Sequence, residues 1–593
     1  MKWRNLISEL KRRHVFKSTI AYLAISWIVI QIAATIFPAF DAPEYALKAL
    51  IYFLSVGLIF WIAFSWVYDL TADGIQKTDD RPADQETLEL TNQRLNKVIA
   101  VSVGFAVLLL VVISFWAGST WNESPDVPQN KVVAVLPFSQ DIEEEESYFK
   151  EGMTETLIGE LSKVDQLRVI NKGSTQVMTS GFEPANSLIN SVLKKVDFFI
   201  SGNIERELNR LNIQVELKES IDAEPVWQKN YTRDISEVRI LWAEVAADLS
   251  RQMNITVKQS DAVLWSGLRP VKPEAYELYL KGKHYLNKPS PVDWQRGLVY
   301  LQEAIDKNPA DPYAYAWMAE AYVNLGHGPD PPPDVFPKAL EAAQRAIRLD
   351  STLAMGWAAL AHYHTYFGMD WALAEYAFNR SNSLNPNLSS NHYHRSWYLA
   401  LFGKMNEAIE EHKLAQELDP FFPLNTAWLG ELYRWVGLYE EGLIEADKAS
   451  QMQNDLAHSM FVKGRIYLDQ GRINEGLELL KEASEVFVGW KYVGYGPALL
   501  ETGNIKEGKA VLDELESLPL NGYRALCLGI MYAHLGDIDK TFGYLNYKQK
   551  HGWFPWIRVM FLPDEIKKDP RYLKLIRDMN LPDPAPLVYQ PEG

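Results

Sequence analysis

Five histidines lie close together in the chain: His362 and His364 form one H-x-H pair, His392 and His394 a second, and His412 follows. Imidazole is a common transition-metal ligand, so such pairs on stacked helices raise the prospect of a metal site in which His364 approaches His392. Two features count against it. Residues i and i+2 of a helix point to different sides, and no Asp or Cys completes a set, so the histidines read as packing side chains and no metal is assigned. Serine chemistry fails too, because there is no G-x-S-x-G and no histidine has an evident nucleophile partner. After the apolar run "VAVLPF" there is no G-x-G-x-x-G or G-K-[ST], and Glu143 to Glu146 place four carboxylates where a phosphate would need donors. That acidic run reads as a solvated loop, with a loosely held divalent cation as the alternative. No catalytic residue and no cofactor is expected.

Binding chemistry is better represented. Tyr366, Tyr393, Trp397, Arg434, Trp435, Phe461, Arg465, Trp490 and Tyr523 fall on one face when the surrounding helices are projected from their packing residues. Aromatic side chains and Arg dominate interface hot spots, so these nine are the candidate partner-binding residues; the alternative places several of them in the core between repeats.

The elements that would position them repeat. Glycines at 326, 368, 403, 437, 471, 503 and 536 are separated by 42, 35, 34, 34, 32 and 33 residues, the period of the tetratricopeptide repeat. Small residues seven positions before several of these glycines, and tyrosines four before, such as Gly430 with Tyr433 and Gly464 with Tyr467, suit close helix pairs. About eight pairs over 273–548 predict an all-α superhelix whose first helices line a concave, peptide-binding surface. The long first step holds "GHGPDPPPDVF", a stiff insertion expected at an edge, and 549–593 reads as a terminal cap and tail.

Ahead of the repeats, 131–258 predicts a small α/β domain. It opens with the strand "KVVAVLPF", continues through a helix over about 148–163, the strand "LRVINKG", a short helix over about 187–195 and three antiparallel strands, and closes with a helix over about 236–253. The residues "AVLPF…YFKEGMTETLIGELSKVDQLRVINKGS…VDFFISGNI…VWQKNYTRD" resemble the domain shared by the amino-terminal part of periplasmic TolB and the flagellar FlgO lipoproteins, in the version that precedes tetratricopeptide repeats in proteobacterial membrane proteins. "ELKRRHVFKSTIAYLAISWIVIQIAATIFPAF" and "VYDLTADGIQKT" are similar to the membrane segment of the same proteins. Some relatives carry a cyclase or a winged-helix DNA-binding domain, and neither is recognisable in this chain. The resemblance implies an envelope scaffold or recognition protein without an assigned reaction.

Three uncharged runs, 18–37, 49–67 and 98–117, are long enough to span a hydrocarbon core of about 30 Å and predict a three-helix transmembrane anchor. Residues 1–17 form a basic amphipathic segment suited to the lipid of the inner leaflet, and 118–130 is a polar linker. Lys2, Arg4, Lys11, Arg12, Arg13 and Lys17 precede the first run, so the N-terminus is expected in the cytoplasm and everything after about 118 in the periplasm of a multi-pass inner-membrane protein. The runs hold no Asp, Glu, Lys, Arg or His, which argues against a transporter. The net charge of −17 argues against nucleic acid, and one cysteine, Cys527, excludes a disulfide framework. Together these features predict a noncatalytic, membrane-anchored scaffold that takes a protein partner or peptide in the repeat groove. A self-assembling homo-oligomeric ring is the alternative, and a ligand-sensing receptor the third reading.

Overall fold

The computed structural model describes residues 15–39, most of 50–62, 68–71, 74–77 and, apart from short interruptions, 130–590. The chain divides into two compact units, Met1–Val127 and Pro128–Gly593.

In the first unit Val15–Ala39 is a single helix of 25 residues that contains the first expected span. The Tyr22 hydroxyl donates to the Leu54 carbonyl at 3.0 Å and the Trp61 indole N–H to the Ser18 carbonyl at 3.2 Å. A hairpin of β1 (Tyr68–Thr71) and β2 (Gly74–Lys77) follows. Among the described residues no helix is long and apolar enough to cross a membrane. The span 49–67 is described only in part; the span 98–117, nearly all of the linker 118–130 and the run Glu143 to Glu146 lie outside the described residues.

The second unit begins with a five-stranded sheet in the order β4-β3-β5-β6-β7. β3 (Lys131–Val135) runs parallel to β4 (Leu167–Ile170) and β5 (Phe198–Glu207), and β6 (Arg210–Lys218) and β7 (Trp227–Asp234) continue it antiparallel. β3 is covered on both faces, which is why it reads as an unbroken apolar run. β6 instead alternates, turning Leu211, Ile213, Val215 and Leu217 inward. On one face the helices Ser147–Leu161 and Val238–Gln252 bury Trp242, Phe149, Met153 and Leu157, the last three each contributing about 1.5–3 kcal/mol of transfer free energy. The helices Lys172–Ser180 and Asn186–Leu193 cover the other with Met178 and Ile189; the sequence reading had no counterpart for Lys172–Ser180.

Eight helix pairs follow among the described residues, from Pro273–Leu286 with Pro291–Lys307 to Gly522–His534 with Ile538–Leu545. Glycines facing each other bring the two helices of a pair together. In Gly282/Gly297, Gly430/Gly442 and Gly464/Gly476 a Cβ on either member would lie 2.8–3.1 Å from the other's carbonyl oxygen, so no larger residue fits without moving a helix. Gly403, Gly437, Gly471, Gly503 and Gly536 take φ between +74° and +83° and end the first helices as left-handed caps. The first two glycines of the series differ. Gly326 remains right-handed at φ −66°, and Gly368 ends a π-helical turn, His364–Gly368, after which Met369 takes φ +51°.

The array curls back on itself. The insertion of the second pair meets the eighth pair, where the Arg524 guanidinium reaches Asp330 at 2.6 Å and the Asn521 amide donates to the Pro329 carbonyl at 3.0 Å. The α/β part is built into the same body. Its first helix packs so tightly on the first pair that a Cβ at Gly152 would lie 2.5 Å from Leu280. Across the curl, the Asn171 N–H donates to the Leu418 carbonyl at 2.8 Å, the Ser174 hydroxyl to Asp419 at 2.5 Å, and Phe421 joins Met178, Ile189 and Phe199 in one apolar cluster.

Candidate functional site

The curl encloses a cavity of about 1140 Å³. First helices of the repeats form its outer wall, the helix Ser147–Leu161 and the turn after it border one side, and Trp553, Trp556, Met560 and Phe561 of the C-terminal tail line another, leaving it partly open. Beyond His551 the tail forms a 3₁₀ turn, Phe554–Arg558, and the helix Pro570–Asp578. It does cover the last pair, since Arg571 pairs with Asp539 at 2.9 Å and sits 4.7 Å from the Phe542 ring. It then crosses to other pairs, taking the Trp371 indole N–H on the Met579 carbonyl at 2.6 Å and joining Gln590 to Asn406 at 2.9 Å.

The aromatic side chains of this tail are seated on the concave surface. Trp556 stacks on Tyr366 at 4.9 Å and meets Trp397 edge-on at 6.4 Å. Trp553 stacks on Trp490 at 5.8 Å and meets Tyr523 edge-on at 6.3 Å, and the Phe561 ring lies 3.9 Å from the Arg465 guanidinium. Five of the nine sequence-derived candidates thus contact the chain's own tail. The other four support them: Phe461 stacks on Trp490 at 4.0 Å, Tyr393 and Trp435 meet Trp397 edge-on at 6.4 and 5.6 Å, and Arg434 pairs with Glu431 and Asp469. All but Arg465 and Tyr523 line the cavity. Arg465 borders an adjoining depression of about 650 Å³, and the Tyr523 hydroxyl is turned away to the Gly489 carbonyl at 2.6 Å.

Paired charges occupy the α/β side. Glu155 receives Lys172 at 2.8 Å and Lys283 at 2.7 Å; burial works to raise its pKa, but the two ammonium groups, Lys283 foremost, hold it down at about 2. Arg239 pairs with Asp311 at 2.9 Å and lies 3.9 Å from the Tyr313 ring. At the seam with the repeats, burial pushes the Asp419 carboxyl up to about 6 against hydrogen bonds from Ser174 and Asn171. The site therefore offers aromatic faces, interspersed donors and fixed charges. Such a lining holds an extended chain by stacking and by hydrogen bonds.

The histidines fall differently from the sequence expectation. His364 and His392 do not meet: His364 packs edge-on against Tyr363 at 4.9 Å, while His392 engages Glu411 at 2.6 Å and the Pro386 carbonyl at 2.9 Å. The opposite members face each other, with the His362 and His394 rings 3.8 Å apart and Glu320 beside them. The i,i+2 argument separates the members of each pair without saying which member faces inward. The acid completing the group is a glutamate from the preceding pair. Its signal was a shared register, since Glu320 and His362 both stand six residues before their repeat glycines, Gly326 and Gly368. His412 is a packing histidine, bonded to the Ser396 hydroxyl at 2.7 Å and the Asn425 carbonyl at 2.9 Å.

No family model matches the chain. Over 252 residues it is 26% identical to a putative adenylate cyclase 3 of Rhizobium meliloti, covering 42% of this chain and 41% of that protein. Over 256 residues it is 23% identical to the transcriptional regulator HilA of Salmonella typhimurium, covering 42% and 44%. The chain thus spans less than half the length of these curated relatives. Among solved structures it is similar to TTC0263, a thermophilic tetratricopeptide repeat protein of Thermus thermophilus, at 20% identity and a TM-score of 0.29, over 33% of this chain and 99% of that one.

Proposed function

We propose that this chain is a noncatalytic scaffold whose concave surface holds an extended, aromatic-bearing protein segment: its own tail in the state described above, and a partner's segment when the tail is displaced. The observation that carries this reading is the seating of Trp553 and Trp556 among Tyr366, Trp397, Trp490 and Tyr523. A surface that takes two indoles from an irregular stretch of chain has the shape and chemistry to take them from another molecule. The tethered tail has a high effective concentration, so a partner must be tight or must approach when the tail is loosened.

The same proposal places the scaffold at a bacterial inner membrane, with the repeats in the periplasm and a TolB-like domain in the α/β part. Three uncharged runs, the basic stretch before the first of them and the outward-facing apolar side chains of Ile20, Ile25 and Trp27 support this placement. The homo-oligomeric ring has less in its favour, because the eighth pair is engaged by the insertion of its own second pair. The cyclase and regulator activities named for the relatives are not carried over, since the match spans less than half of each.

Photo-crosslinking tests the reading. With p-benzoylphenylalanine at position 366 in cells, where Tyr366 stacks on Trp556, the account expects adducts to the chain's own 551–563 stretch and to an extended aromatic segment of a second protein. Adducts confined to the chain itself under all growth conditions would reduce the tail to a structural cap.

A further inference from the structure

At the end of the cavity where Trp556 stacks on Tyr366, three side chains from three successive first helices converge. One ligand atom each from Glu320, His362 and His394 lies within 4.8 Å of the others. The Glu320 carboxylate is 2.9 Å from His362 Nδ1 and 4.0 Å from His394 Nε2. Metal–ligand bonds of about 2.0–2.2 Å separate tetrahedral donor atoms by about 3.3–3.6 Å, so these side chains need only small adjustments to share one ion.

Two further observations point to a ligand. First, His394 is oriented as metal-bound imidazoles are: its Nδ1 is engaged by the Tyr366 hydroxyl at 2.7 Å, which leaves Nε2 facing Glu320. Second, His362 is fully buried, and its Nε2 has no hydrogen-bond partner among the described residues; the same holds for Nε2 of His327, whose ring meets Tyr366 edge-on at 4.3 Å. Buried imidazole nitrogens without partners leave this end of the cavity under-satisfied, while the His362 nitrogen turned to Glu320 is Nδ1. A plain carboxylate–histidine hydrogen bond explains the Glu320–His362 contact and leaves unexplained why His394 Nε2 is turned to the same carboxylate.

We propose that Glu320, His362 and His394 form a site for one divalent transition-metal ion of the imidazole-binding class, with an open coordination position toward the cavity. Imidazole and carboxylate together suit Zn²⁺, Co²⁺ and Fe²⁺ better than the hard ions Mg²⁺ and Ca²⁺, which take oxygen ligands. Three protein donors leave room for a fourth ligand. Glu320, His327 and His394 line the cavity, so the occupant of the groove can supply that ligand.

The test is a Co²⁺ titration of the tag-free, full-length chain, purified in detergent and stripped with chelator, followed by visible d–d absorption. The expected result is one Co²⁺ per chain, displaced by Zn²⁺, with affinity at least ten-fold weaker in both Glu320→Gln and His394→Gln. Glu320→Gln is nearly isosteric and keeps an acceptor for His362, so metal-free melting is the control that it still folds. Absence of a Co²⁺ spectrum, or binding that both substitutions leave unchanged, overturns the proposal and makes the cluster a hydrogen-bonded part of the core.

Discussion

Burial governs the chemistry of individual histidines in the array. His412 and His551 are enclosed, and burial lowers each to about 4 from an ordinary value of 6.5, against a hydrogen bond to the Asn425 carbonyl in one case and to the Gly328 carbonyl in the other. Both are neutral in the folded chain and take up a proton readily only when unfolded. Their contribution to stability is therefore full above about pH 6.5 and is lost as the pH falls toward 4, at about 1.4 kcal/mol per pH unit for each group. Urea unfolding of the metal-free chain should show a lower midpoint at pH 5.0 than at pH 7.0, and His412→Gln should reduce the difference. A midpoint that does not move would mean that these rings reach solvent. At this scale the sequence disclosed which residue types cluster but not their facing. Seven of the nine projected residues line the cavity, because a repeat fixes the inward face, whereas the inward member of each H-x-H pair depends on helix rotation within a fraction of a turn.

Helix pairs are where sequence and structure agree most closely, because each pair is made by contacts of short range and therefore leaves a periodic trace. The two kinds of glycine have separate physical causes and separate predictions. Gly430 is held against the Gly442 carbonyl, where a Cβ would sit at 2.8 Å, while Gly437 has nothing within 4 Å and is required only for its φ of +79°. Gly430→Ala should cost about 1–3 kcal/mol through forced separation of the helices. Gly437→Asn should cost only a few tenths, because Asn tolerates the left-handed cap. Thermal melting of both variants decides this, and equal losses would contradict the assignment of roles. The proline-rich insertion behaves as a clasp. Asp330 is largely exposed, so Asp330→Ala should leave melting within about 1 kcal/mol of the parent and speed amide exchange of residues 326–334.

Across the whole second unit, closure is what the sequence did not reveal. Asp330 and Arg524 are 194 residues apart, and Ser174 and Asp419 are 245 apart; single contacts of that range leave no pattern in composition or period. The tail shows the same limit. Its departure from the repeat pattern was visible, but where its two indoles would insert was not. Asp419 gives the closure a pH signature. Its pKa is raised to about 6 from 3.8, so its stabilising share is complete below about 3.8 and is lost as the pH rises through 6. Amides of residues 171–175, corrected for intrinsic exchange and compared with the array as a whole, should be better protected at pH 5.5 than at 7.5, and Asp419→Asn should abolish the difference.

The central claim is that the concave surface binds a segment of chain rather than merely being filled by one. The most direct measurement is the binding of a labelled peptide with the sequence of residues 551–562 to the full-length chain, by fluorescence anisotropy. The parent, with its own tail seated, should bind weakly. Trp553→Ala/Trp556→Ala should bind saturably and at least ten-fold more tightly, and a further Trp397→Ala should remove that gain. Equal, weak binding by the parent and the double variant, with the variant still folded, would show the groove to be a closed core and contradict the account.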